Sequence, residues 1–197
     1  MEEIQKRRAL YPLVLMSILI LIWIISWHNA YMKTLLYLET VGMIILLSFF
    51  ILTYRKFRLN NLSYTLIFFY LSLHAIGVHY SYDFPENSWL SSIIRYDKLV
   101  HFSFGLFMYY PFKNAYLKLT KTVKALEYFI PLLIIMAIGA SYELWEFLFT
   151  LINPHLGFAY TSFGNDIWDT QKDMSCSFIG ASISSILNFI IDKIRSR

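Results

Sequence analysis

The sequence predicts an all-α fold: a polytopic membrane helical bundle of six transmembrane helices, built as one domain over residues 1–197. Three observations predict it. Of 197 residues, 57% are hydrophobic and 15% charged, and mean hydropathy is +0.51, far from soluble averages. Apolar runs close to the ~20 residues that cross a hydrocarbon core recur six times. The Lys and Arg residues gather in short clusters in alternate connections between those runs, as in cytoplasmic loops.

The first span, Leu10–Trp27, follows Lys6, Arg7 and Arg8. Its apolar run is long, and His28 stands where a small residue should precede a signal-peptide cut, so it reads as a retained helix. The second span is Leu35–Tyr54 and the third Leu62–Tyr80. The fourth has a short apolar run, Leu99–Phe112, and is expected to begin near Tyr96 with Asp97 in its first turn. The fifth is Leu126–Leu151 and the sixth Met174–Ile191.

Orientation follows from charge. With the N-terminus inside, Lys6, Arg7, Arg8, Arg55, Lys56, Arg58, Lys113, Lys118, Lys121, Lys124, Lys193, Arg195 and Arg197 lie inside, leaving only Lys33, Arg95, Lys98 and Lys172 outside. That asymmetry predicts N-in, C-in topology and an even number of spans. Gly77, Gly105, Gly139 and Gly180 fall one per span in the last four, and Gly-Ala-Ser occurs at 139–141 and 180–182. Small residues allow close helix approach in lipid, so the core is expected to form from helices 3–6, with helices 1 and 2 on its flank.

Composition narrows the function classes. The net charge of +4 is spread in clusters and does not suggest nucleic-acid binding. Cys176 is the sole cysteine, which excludes an intramolecular disulfide and a thiolate metal site. The lipid bilayer is the expected partner.

The informative residues are ionisable ones in or beside the last four spans: His74, His79, Asp97, His101, Glu143, Glu146, Asp166, Asp169 and Asp173. At 1.5 Å per residue, His74 lies roughly 18 Å and His79 roughly 26 Å along an outward-running third helix. Glu143 and Glu146 lie in the outer part of the fifth. Asp97, His101, Asp169 and Asp173 lie at or near the outer starts of the fourth and sixth. All are thus expected at the extracytoplasmic face, where ionisable groups at membrane depth mark a functional site. Glu39 is a comparable group near the outer end of the second span.

The spacings group them. Asp97 and His101 (i,i+4) share a helix face, as do Glu143 and Glu146 (i,i+3), whereas His74 and His79 (i,i+5) diverge by about 140°. Asp166, Asp169 and Asp173 form a stripe if helical. Helical bundles build metal sites from carboxylates and imidazoles on facing helices. Oxygen and imidazole donors suit Mg²⁺, Mn²⁺, Ca²⁺, Zn²⁺ or iron. His101, Glu143, Glu146, Asp169 and Asp173 are therefore the candidate metal ligands, with His79 and Asp97 as candidate catalytic acid or base. A divalent metal ion is the candidate cofactor. The competing structural reading has the same carboxylates pairing with Arg95, Lys98, Lys172 or protonated histidine to knit helices together.

Four stretches carry a resemblance: His74-Ala-Ile-Gly-Val-His79-Tyr80, Tyr96-Asp97-Lys98-Leu-Val-His101-Phe102, Ala140-Ser141-Tyr142-Glu143-Leu-Trp145-Glu146, and Asp166-Ile-Trp168-Asp169-Thr-Gln171-Lys172-Asp173-Met174. They resemble the YjdF family of bacterial inner-membrane proteins. Asp97-Lys98-x-x-His101-Phe102 with the acidic fifth span is also distantly similar to the VanZ-like group, associated with resistance to glycopeptide antibiotics. The resemblance implies a multi-pass inner-membrane protein with its marked residues outermost.

Three functions then compete: a metal-dependent hydrolase or transferase acting on a lipid or polyprenyl-phosphate envelope substrate, a cation or small-solute binding or transport protein, and a structural or accessory membrane protein. Transport is disfavoured by the nearly all-apolar inner halves of the spans.

Overall fold

The computed structural model describes residues 2–54, 57–83, 95–121, 123–153 and 166–196. Within them the chain is helical: α1 Glu2–Trp27, α2 Lys33–Thr53, α3 Asn61–His79, α4 Tyr96–Leu119, α5 Lys124–Ile152 and α6 Asp169–Arg195. All six expected helices are present, and α4 begins at Tyr96 with Asp97 in its first turn.

Besides α1, which begins at Glu2 rather than at Leu10, two boundaries differ from expectation. α4 runs to Leu119, so Lys113 and Lys118 are helical rather than in a loop. α6 begins at Asp169, five residues before the apolar run, so Asp169 and Asp173 are helical while Asp166 precedes the helix. Polar residues hid both extensions, because within a protein interior they can be satisfied by neighbouring helices.

Four helices, α1, α3, α5 and α6, are long and apolar enough to cross a membrane. α2 and α4 are not among them, and several α2 side chains lie outside the described residues. α4 is instead the bundle's interior helix. It buries Asp97, Lys98, Ser103, Tyr109 and Lys113 beside its apolar residues, packs most extensively on α6, and also touches α3 and α5. Against that core α1 lies along α3, and α2 makes only light contact with α3.

Close packing of α4 on α6 has a specific cause. A Cβ built on Gly105 would strike the Ser177 carbonyl oxygen, and one on Gly180 would strike the Phe102 carbonyl oxygen. Each glycine thus accommodates the other helix's backbone. Ser177 adds a 3.1 Å hydrogen bond from its hydroxyl to the His101 carbonyl. The other two glycines behave differently. A Cβ on Gly77 would meet the Tyr82 and Tyr96 rings at 2.8–2.9 Å, while one on Gly139 would meet nothing within 4 Å.

Polar ties fasten both ends. Asn60 caps α3 by accepting from the Ser63 N–H at 2.8 Å, and its amide donates to Tyr110 of α4 at 2.7 Å. At the same end the Lys113 ammonium donates to Asp192, which also accepts from Tyr128 at 2.9 Å. The buried Tyr109 hydroxyl meets the Tyr128 carbonyl and Ser185, both at 2.9 Å, joining α4, α5 and α6. At the opposite end Tyr96 donates to the Leu73 carbonyl at 2.9 Å.

Candidate functional site

The first turns of α4 and α6 meet beside the last turns of α3 and the far half of α5, enclosing a cavity of about 80 Å³. His74, Asp97, His101, Glu146, Asp169 and Asp173 line it, with Tyr70, Tyr82 and Tyr142 among the aromatic walls. Glu143 lies beside it, buried.

Lys98 organises the cluster. It is 8% exposed, and its ammonium lies 2.6 Å from Asp169 Oδ1, 2.8 Å from both Asp173 oxygens and 3.3 Å from Asp97 Oδ2. Arg95 adds a guanidinium 2.7 Å from Asp97 and 3.4 Å from Asp169. One ammonium meeting three carboxylates satisfies its donors and offsets the desolvation of a buried charge.

A second group sits next to it. His101 Nε2 is 3.7 Å from Glu143 Oε1 and 3.7 Å from Asp173 Oδ1. Those separations exceed hydrogen-bond length. Glu143 Oε1 is buried with no hydrogen-bond partner among the described residues. The three atoms converge on one point, each able to offer a single ligand. Asp97, Asp169 and Asp173 form a second set of converging oxygens, but there Lys98 Nζ already lies among them.

A third set enters from the flank. Glu39 of α2, buried, accepts from Tyr142 at 2.8 Å and lies 3.2 Å from His74 Nε2. With a carboxylate at Nε2 that nitrogen donates, so in the neutral ring Nδ1 accepts from the Tyr82 hydroxyl at 3.1 Å. The Trp23 ring stacks on His74 at 6.2 Å between centroids. Tyr82 reaches this position from a left-handed turn, with Ser81 at φ 54° and Tyr82 at φ 57°.

The expected site residues are thus distributed unevenly. His101, Glu143 and Asp173 converge; Asp97 and Asp169 belong to the Lys98 cluster. Glu146 lines the cavity with no hydrogen bond to its carboxylate among the described residues. His79 is turned away: its Nδ1 lies 3.0 Å from the Ser26 carbonyl of α1, and it does not line the cavity. Asp166 is separate as well, 2.6 Å from Lys172. The Lys172 hydrogen bond, helped by the Trp168 N–H, holds its carboxyl below the ordinary value.

Sequence reading treated Lys98 only as one of several counter-ions, and Glu39 as an outlier. A signal for Lys98 was present. Arg95, Lys98 and Lys172 are three of the four basic residues left outside by the charge rule, and each falls within six positions of an aspartate it pairs with. Glu39 has no such signal, because nothing in α2 points to Tyr142, 103 residues away.

Comparison with known proteins agrees with the helical, membrane-embedded architecture. The family model described as "Predicted membrane protein (DUF2238)" matches residues 11–193. The chain is 32% identical over 188 residues to the inner membrane protein YjdF of Escherichia coli (strain K12), covering 88% of each chain. No solved structure matches. With nearly its whole length matched, the chain belongs to the DUF2238 family of membrane proteins, the family of YjdF.

Proposed function

We propose that the cluster binds a divalent cation at His101, Glu143 and Asp173, and that the protein is an inner-membrane enzyme acting on a lipid or polyprenyl-linked phosphate at the extracytoplasmic leaflet. The observation that carries the reading is the convergence of three ligand atoms, His101 Nε2 lying 3.7 Å from one oxygen each of Glu143 and Asp173 and all three within 4.8 Å of one another, the Glu143 oxygen being buried with no hydrogen-bond partner among the described residues. A tetrahedral ion with bonds of about 2.1 Å holds its ligands about 3.4 Å apart, so a small inward shift completes the site. Charge supports the reading too. Among the described residues, Glu39, Asp97, Glu143, Glu146, Asp169 and Asp173 gather around two permanent cations, Arg95 and Lys98. Such an excess of carboxylates is relieved by protons or by a bound cation.

A bound divalent ion would supply Lewis-acid chemistry on a phosphoryl oxygen. The protein's own groups would do the rest. Arg95 and Lys98 present positive charge beside the cavity to an anionic headgroup. His74, with Nε2 on Glu39 and Nδ1 on Tyr82, is oriented to pass a proton along that chain. The aromatic walls exclude bulk water.

Elemental mass spectrometry of detergent-purified protein tests this. One equivalent of a divalent metal is expected in the wild type. It is lost in Glu143→Gln and in Glu143→Gln/Asp173→Asn. Metal-free wild type whose melting temperature no divalent ion raises would sink the proposal. The structural reading has one observation in its favour, the saturation of Lys98 by three carboxylates. It predicts that Glu143→Gln changes melting temperature alone.

A further inference from the structure

A separate site is carried by the opposite end of the molecule. The middle of α1, the end of α2 and the first half of α3 leave between them a crevice of about 220 Å³. Its walls are apolar, Leu13, Leu19, Leu47, Ile51 and Phe68 among them, with Tyr54 and Tyr64 at one end. A dry cavity of about 150 Å³ accommodates a benzene molecule, so this one has room for a longer hydrocarbon segment. Leu13 and Ile51 line it yet are 48% and 56% exposed, so it opens sideways between α1 and α2.

The tyrosine end is cationic. Arg58 places its guanidinium 5.4 Å from the Tyr54 ring centroid, and Nη2 is buried with no hydrogen-bond partner among the described residues. No described carboxylate pairs with Arg58. Its carbonyl accepts from the Lys118 ammonium, which adds a second positive charge. Juxtamembrane basic clusters attract anionic lipid headgroups.

We infer that this crevice binds one anionic phospholipid of the cytoplasmic leaflet, an acyl chain lying between α1, α2 and α3 and the phosphate on Arg58. Apolar walls open to the bilayer select hydrocarbon, and the Arg58 guanidinium, with Nη2 unpartnered among the described residues and Lys118 beside it, selects a phosphate of net negative charge. The inference is independent of the cation site and uses only the N-in orientation.

Native mass spectrometry decides it. Full-length protein is delipidated and equilibrated with equimolar phosphatidylglycerol and phosphatidylethanolamine of matched chains. One retained phosphatidylglycerol, preferred about fivefold or more, is expected: both lipids carry the phosphate, but the ammonium of phosphatidylethanolamine cancels its net charge beside Arg58 and Lys118, and net anionic charge is worth about 1 kcal/mol per basic residue. The preference should vanish in Arg58→Gln and retention should fall in Leu47→Trp, which fills the crevice, while Arg195→Gln leaves both unchanged. Equal retention of the two lipids by the wild type overturns the inference, as does a preference that survives Arg58→Gln. Undiminished retention in Leu47→Trp places the lipid elsewhere and also overturns it. If Arg58→Gln does not fold, the wild-type preference and Leu47→Trp still decide.

Discussion

Lys98 is the residue on which the carboxylate-rich end of the molecule depends. It replaces three separate carboxylate problems with one shared counter-charge, and its removal leaves Asp97, Asp169 and Asp173 buried together without it. Lys98→Met is expected to lower stability by about 3–5 kcal/mol, as for other broken buried ion pairs. Lys98→Arg should recover part of it. Denaturation in detergent micelles checks the order, and a Lys98→Met protein as stable as wild type would refute it.

Elements differ in how plainly the sequence announces them. Long apolar runs made all six helices legible, because a chain in lipid has few other ways to satisfy its backbone. The start of α6 and the end of α4 were less legible. Asp169, Asp173, Lys113 and Lys118 look like loop residues until partners on other helices are known, and Asp192 for Lys113 lies 79 positions away. The glycine pattern was half informative: Gly105 and Gly180 seat backbones, whereas Gly139 touches nothing a Cβ would reach. Gly139→Ala is accordingly expected to be near neutral and Gly105→Ala strongly destabilising, a contrast that expression yield and thermal melting will show. The turn after α3 has its own signature. Ser81 holds φ 54°, and its hydroxyl has no hydrogen-bond partner among the described residues. Ser81→Gly should be neutral or stabilise by up to about 1 kcal/mol, and Ser81→Val should destabilise by at least as much.

At the scale of the whole molecule, the two ends have different characters. One gathers carboxylates, imidazoles, Arg95 and Lys98 around a small cavity; the other combines an apolar crevice with Arg58, whose Nη2 has no hydrogen-bond partner among the described residues. The sequence showed that the first existed because its residues recur at the same depth in successive helices. It did not show which would touch. His74 and His79 are five positions apart, and only the packing of α1 and α2 decides that His74 meets Glu39 while His79 meets Ser26. In a Cys176→Ser background, Asp83→Cys is expected to react with an impermeant maleimide from outside and Lys121→Cys only after permeabilisation. The opposite pattern would invert the topology and move the cluster to the cytoplasmic face.

The reciprocal seating of Gly105 and Gly180 has a genetic consequence. Ordinary core contacts tolerate compensation, since a larger residue on one side can be matched by a smaller one opposite. Here both partners are already the smallest residue there is, and what each meets is main chain. A lesion at either position therefore has no local suppressor. Revertants of Gly105→Ala should be true revertants, or should map to residues that let α4 and α6 stand further apart.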